Sequence, residues 1–96
     1  MERYHLTVFY TAKSPEAAKK LLEEVEKRGI ADAVRAEEGC LCYRFFLDAK
    51  DPCTILLLEE WETQAHQKVH VTQPHMDLLR ALKSEYVLST KARALQ

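Results

Sequence analysis

The 96-residue sequence contains little glycine, proline or cysteine, and this scarcity excludes several kinds of protein. With two glycines and three prolines, the chain does not have the composition of a low-complexity or disordered segment. The glycines, Gly29 and Gly39, form no glycine-rich phosphate loop, and the sequence has no nucleotide fingerprint or nucleophile elbow. Any catalysis by this chain is therefore expected to proceed without a bound cofactor.

The three cysteines do not form a pattern typical of disulfides or of zinc sites. Cys40 and Cys42 are expected to lie on the same face of a strand, with parallel side chains that are poorly placed for a disulfide. Zinc would need a second pair of ligands at a suitable spacing, and none is evident. We therefore expect the cysteines to be small buried apolar residues on a strand, and we expect a reducing, cytoplasmic environment.

Charge and hydrophobicity indicate neither a nucleic-acid-binding nor a membrane protein. The 14 basic and 15 acidic residues alternate along the chain, and the net charge is −1, so no basic patch forms. The longest run of Leu and Ile, residues 55–58, is far too short to span a bilayer, and residues 1–5 lack the apolar core of a signal peptide. A small-molecule partner is the remaining expectation.

The order of predicted elements is strand, helix, hairpin, helix, strand. Strands are predicted at residues 4–11, 40–47, 54–61 and 86–94 from their β-branched and aromatic residues. Ser14 and Pro15 begin a helix that runs to about residue 36 with an interruption at Gly29, and Thr63 begins a second helix that Pro74 breaks in two. The length permits one α+β domain, residues 1–96, with a ferredoxin-like β-α-β-β-α-β order and both helical regions on one face of an antiparallel sheet.

The third strand is apolar on both faces, which the helices of one chain cannot cover. Ile55 and Leu57 point to one side, whereas Leu56 and Leu58 point to the other. The sequence therefore predicts a homodimer that packs one sheet against another.

Residues 59–76 hold the only tryptophan, Trp61, and three of the four histidines. His70 is expected at the end of one helix and His75 at the start of the next, so the helix dipoles bias the two rings in opposite directions. That pair suits acid-base catalysis, although two inert helix-terminal histidines would have the same spacing. His66 and His70 with Glu62 resemble a metal-binding edge but lack further ligands, so no metal is predicted. Of Glu59 and Glu60, one must lie on a packed face, with Arg44 as its candidate partner.

These segments resemble the antibiotic biosynthesis monooxygenase family of small dimeric α+β barrel proteins. The matching pieces are residues 38–43, Asp48 with Asp51-Pro52, residues 59–61, Ala65 and residues 70–76. The resemblance implies a pocket between sheet and helices, with Trp61, His70 and His75 near it.

The resemblance also implies a function, with two alternatives. The leading expectation is a cofactor-independent monooxygenase that oxidises a small quinol or anthrone with O2. His70 and His75 would move protons, and the substrate would contact Trp61, Tyr43, Phe45 and Arg44. The alternatives are an isomerase of a phosphorylated autoinducer-type sugar, with Arg35, Arg44 or Arg80 as the anion site, and a non-catalytic dimer that binds a small molecule.

Overall fold

The helices and strands follow one another in the order predicted from the sequence. The structure is a computed structural model that describes residues 3–95. Its elements are β1 (Tyr4–Ala12), α1 (Pro15–Lys27), α2 (Ile30–Arg35), β2 (Cys40–Leu47), β3 (Thr54–Trp61), α3 (Gln64–His70), α4 (His75–Tyr86) and β4 (Val87–Leu95). The strands form one antiparallel sheet in the order β2-β3-β1-β4, so the predicted α+β, ferredoxin-like fold is confirmed.

Local sequence signals explain where the first helices begin and end. The Ser14 hydroxyl accepts a hydrogen bond from the backbone N–H of Ala17 at 3.0 Å and caps α1. Gly29 adopts a positive φ of 67° between α1 and α2, a conformation that glycine adopts without steric cost. The predicted helix with an interruption is therefore two helices that meet at Gly29.

The helices cover one face of the sheet and form the core with it. On that face Val8 lies opposite Leu57, and Tyr10 lies opposite Ile55. The buried side of α1 contributes Leu21, and the same core includes residues of α2 and α4. Burial of these apolar side chains is the main source of stability for such a fold.

A β-bulge at the start of β2 overturns the predicted arrangement of the cysteines. Cys40 lies opposite Trp61, but Cys42 lies opposite Glu60, because Leu41 is an extra residue in the strand. Cys40 and Cys42 therefore lie on opposite faces of the sheet, and the expectation that they share a face is wrong. Burial raises the pKa of the Cys40 thiol to about 11, which keeps it protonated and unreactive.

The outer face of the sheet carries the apolar side chains that the prediction of a dimer rests on. Phe9 is 44% exposed, and Phe46, Leu56 and Leu58 are partly exposed beside it. Arg44 lies on this face opposite Leu58, with its guanidinium 5.1 Å from the ring centroid of Phe46.

Among residues 3–95, none of the helices has the length and apolar character needed to span a bilayer.

Candidate functional site

Two connecting segments, one after α2 and one between α3 and α4, bring Glu37, His70 and His75 together. Glu37 follows the end of α2, His70 is the last residue of α3, and His75 is the first residue of α4. The chain between the two histidines is held by hydrogen bonds from the Gln73 N–H to the His70 carbonyl at 3.1 Å and from the Met76 N–H to the Gln73 carbonyl at 3.0 Å. The expected helix-terminal positions of both histidines are confirmed.

Both histidines bind the same carboxylate oxygen. Glu37 Oε2 lies 2.9 Å from His70 Nδ1 and 2.7 Å from His75 Nε2. Because a carboxylate only accepts hydrogen bonds, both ring nitrogens must be protonated donors. When the His70 ring is neutral, its lone pair is therefore on Nε2.

His70 Nε2 faces a second buried carboxyl group, that of Glu59. Glu59 Oε1 lies 3.9 Å from this nitrogen and accepts a hydrogen bond from Trp61 Nε1 at 3.0 Å. The Trp61 ring also packs against His70, with 4.7 Å between ring centroids. Burial raises the pKa of Glu59, although the hydrogen bond from Trp61 opposes this shift. The expectation that Arg44 is the partner of the buried glutamate is wrong, because Arg44 lies on the outer face.

A cavity of about 240 Å³ lies between the sheet and α4, with His70 in its wall. Its polar lining includes Tyr43 and Glu59, and its apolar lining includes Val8 and Leu79. This is the position that the resemblance implied for a pocket. His70 therefore contacts Glu37 through Nδ1 and is also one of the residues that line the cavity.

Gly39 fixes the turn that carries Glu37 against α3. It adopts a φ of 81°, and a Cβ at this position would collide with the ring of His66. His66 itself bonds to the Thr63 hydroxyl through Nδ1 at 2.7 Å and borders a separate, more open groove of about 430 Å³. His66 and Glu62 do not join the cluster at His70.

Of the other residues singled out from the sequence, Phe45 and His5 lie apart from this cluster, whereas Trp61 packs against His70. Phe45 packs edge-on against Tyr43, with 5.5 Å between ring centroids, but it lines another groove beside α1 and α2. His5 lies opposite Glu60 on the outer face and 3.4 Å from its carboxylate. Trp61 is fully buried behind the cavity. Sequence reasoning missed Glu37, whose only local signal is an acidic side chain two residues before Gly39.

Glu37, His70 and His75 also offer three potential metal-ligand atoms within 4.8 Å of one another. Two histidines and one carboxylate are a donor set that zinc or iron accepts. The observed separations of 2.7 and 2.9 Å are those of direct hydrogen bonds, so the ligand atoms would have to move apart to admit a metal. The prediction of no metal remains a prediction, and metal removal and return belong in any activity assay.

We expect Glu59→Gln to become increasingly stabilising as pH rises from about 4 towards neutrality. The raised pKa of Glu59 means that the folded state holds a proton that the unfolded state releases over this range. The wild type therefore loses stability as pH rises, whereas glutamine keeps an acceptor for Trp61 and does not titrate. Urea denaturation at several pH values measures this difference, with the exposed Glu62→Gln as control. If the difference in the free energy of unfolding between the wild type and Glu59→Gln did not change with pH, this expectation would be wrong.

Comparison with known proteins decides the family. The family model for antibiotic biosynthesis monooxygenases matches residues 3–82. The chain belongs to the antibiotic biosynthesis monooxygenase family. The probable quinol monooxygenase YgiN of Escherichia coli K12 is 32% identical over 75 residues, which covers 70% of this chain and 72% of that protein.

Solved structures confirm the fold of this family member. PA3566 from Pseudomonas aeruginosa superposes with a TM-score of 0.85 at 25% identity, over 99% of this chain and 93% of that one. A conserved protein from Methanosarcina mazei Go1 gives a TM-score of 0.88 at 20% identity, over 100% of this chain and 93% of that one. The resemblance predicted from residues 38–76 is thus confirmed at the level of family and fold.

Proposed function

We propose that this protein is a cofactor-independent monooxygenase that oxidises a small quinol or anthrone with O2, and that His70 is its base. The observation that carries the proposal is that the His70 ring both contacts Glu37 and lines the cavity. Nδ1 donates to Glu37 at 2.9 Å, and the ring forms part of the cavity wall. The 32% identity to a protein named as a probable quinol monooxygenase supports the substrate class.

In this mechanism His70 Nε2 removes a proton from the substrate. Glu37 holds the ring in the required tautomer and stabilises the imidazolium that forms. The resulting substrate anion is electron-rich and reacts with O2. For an anthrone, the reacting CH2 group loses two hydrogens and becomes a carbonyl with one oxygen atom, while the other oxygen atom leaves as water. A substrate that fills the cavity would displace water that otherwise stabilises the anion and slows the reaction.

The proposal gives the predicted site residues unequal roles. Tyr43 lines the cavity, Phe45 supports the Tyr43 ring, and Trp61 holds Glu59 and packs against His70. His75 acts through Glu37, to which it donates a hydrogen bond at 2.7 Å. Arg44 takes no part, because it lies on the other face of the sheet.

We place the sugar-phosphate isomerase second because none of the three arginines predicted for its anion site both lines the cavity and lacks a partner. The Arg35 guanidinium donates to the Tyr43 carbonyl at 3.0 Å and to Asp32 at 3.0 Å. Arg80 borders the cavity but pairs with Asp77 at 2.8 Å. With Arg44 on the outer face, a phosphate would have to displace existing partners to bind an arginine.

We also propose that the protein is a homodimer formed through the outer face of the sheet. A second copy would cover Phe9, Phe46, Leu56 and Leu58, which no element of the same chain covers among the described residues. Sedimentation velocity distinguishes this dimer from the 11.1 kDa monomer.

The experiment that tests the proposed function is oxygen uptake by metal-stripped protein with a panel of quinols and anthrones. We expect uptake above the uncatalysed rate, with one O2 consumed per carbonyl formed when an anthrone is the substrate. Activity that appears only after return of zinc or iron would contradict the cofactor-free mechanism. Absence of uptake from folded protein, with turnover of a phosphorylated sugar, would favour the isomerase.

A further inference from the structure

The Tyr43 hydroxyl is buried in the cavity region without a hydrogen-bond partner. Tyr43 is 1% exposed, and its Oη is the buried side-chain atom that lacks a partner among the described residues. Buried hydroxyls in native proteins are almost always hydrogen-bonded, so an unpaired one calls for a partner from outside the chain. Because Tyr43 lines the cavity between the sheet and α4, a bound molecule in that cavity can supply the partner.

The Tyr43 hydroxyl is available as a hydrogen-bond donor to a molecule in the cavity. Burial raises the pKa of Tyr43 well above its usual range, and the nearby hydroxyl of Tyr10 adds to the effect. The Tyr43 hydroxyl therefore remains protonated at physiological pH and can donate its proton to an oxygen of the ligand. An alkyl or unsubstituted aryl group would leave it unsatisfied.

Lys83 supplies a positive charge to the same cavity. Its Nζ lies 5.0 Å from the ring centroid of Tyr10, and no carboxylate lies within 4.0 Å of it among residues 3–95. Partial burial and the nearby charge of Arg80 lower the pKa of Lys83, and the carboxyl group of Glu59 opposes this shift. An anionic ligand in the cavity would add a favourable interaction with the Lys83 ammonium.

We propose that Tyr43 and Lys83 form a subsite for the ionised oxygen of an acidic phenol. The proposal rests on the proposed function and deepens it, because it narrows the substrate to a compound bound as its phenolate. The Tyr43 O–H donates to the ligand oxygen, the Lys83 ammonium pairs with its negative charge, and the proton leaves to His70 Nε2 or to solvent. Both residues then determine specificity for an oxygen anion rather than for an apolar ring alone.

The charges around the cavity agree with a monoanion of compact size. The titratable or charged groups that line it are Tyr10, Tyr43, Glu59, His70, Arg80 and Lys83. Arg80 is already engaged by Asp77 and by the Val71 carbonyl, and burial favours the neutral form of Glu59. A volume of about 240 Å³ is below the range of roughly 300–1,000 Å³ that drug-sized ligands occupy, so we expect one or two aromatic rings.

Titration with 4-nitrophenol tests the subsite without turnover, because the phenolate and the phenol of this dye absorb at different wavelengths. We expect wild-type protein to bind the dye saturably and to lower its apparent pKa. Lys83→Met should weaken phenolate binding by about tenfold and raise the apparent pKa of the bound dye again. Tyr43→Phe should weaken binding by about three- to tenfold through the lost hydrogen bond.

The controls for this titration are two matched variants and a circular dichroism measurement of folding. Lys91→Met changes a lysine opposite Phe9 on the outer face, and Tyr86→Phe changes a tyrosine that does not line the cavity. Both should bind the dye as the wild type does, and circular dichroism should show all four variants folded. Absence of saturable binding to the wild type, or equal binding by all variants, would overturn the subsite.

The dye titration tests the subsite and the oxygen-uptake assay tests the reaction, so either result can be negative while the other is positive. Dye binding that depends on Lys83 and Tyr43 supports the subsite even if no quinol or anthrone consumes oxygen, in which case the proposed reaction is wrong. If the protein consumes oxygen but neither Lys83→Met nor Tyr43→Phe changes dye binding, the reaction is supported and the subsite is rejected.

Discussion

Replacing His70 by glutamine is expected to reduce oxygen uptake by about a thousandfold, whereas His75→Gln should reduce it by only about tenfold. The two histidines differ because the cavity wall includes His70 and not His75. Loss of His70 removes the base itself. Loss of His75 removes one of two donors to Glu37 and leaves the other, at 2.9 Å, in place.

His66→Gln is the matched control for this comparison. His66 lies one turn before His70 on α3, and its ring bonds to the Thr63 hydroxyl rather than to Glu37. We expect its activity to equal that of the wild type when kcat and kcat/KM are measured for all three variants. Equal losses in His70→Gln and His75→Gln would contradict the assignment of the base to His70.

Replacing Trp61 by alanine is expected to lower the free energy of unfolding by about 3–5 kcal/mol. Trp61 is fully buried, so the substitution leaves a large void beside His70. It also removes the N–H that satisfies the buried carboxyl of Glu59 at 3.0 Å. The loss is a large fraction of the total stability of such a domain, which is about 5–15 kcal/mol.

Urea denaturation followed by circular dichroism measures this effect, and Trp61→Phe separates its two causes. Phenylalanine retains most of the buried ring and removes the donor, so we expect a loss of about 1–3 kcal/mol, most of it from the unpaired Glu59. If Trp61→Ala and Trp61→Phe lowered the free energy of unfolding equally, packing of the ring would contribute little and the larger loss expected for alanine would be wrong.

Much of the fold could be predicted because local and long-range signals agree. The Ser14 cap, the Gly29 interruption and the runs of β-branched and aromatic residues in the strands each depend on residues close in sequence, and the structure follows them. The arrangement of Cys40 and Cys42 could not be predicted, because the bulge that separates their faces depends on pairing with β3. A period of two along a strand does not indicate where an extra residue is inserted.

The site was predictable only in part for the same physical reason. Clustering of histidines and tryptophan in one segment pointed to His70, His75 and Trp61, whereas Glu37 lies more than 30 residues earlier in the chain. Nothing near Glu37 in sequence indicates that two histidines share its carboxylate. In the proposed mechanism, the roles of the two histidines differ because His70 lines the cavity and His75 does not.

In the proposed mechanism, neutral His70 carries its proton on Nδ1 and offers a free Nε2 to the cavity. Nitrogen NMR of protein labelled with 15N-histidine measures this directly at a pH where the ring is neutral, with the signals of His70 identified by their loss in His70→Gln. We predict a protonated Nδ1 and an unprotonated Nε2 for His70, and a mixture of tautomers in Glu37→Gln. A protonated Nε2 in the wild type would contradict the account, because the base would then have no lone pair facing the substrate.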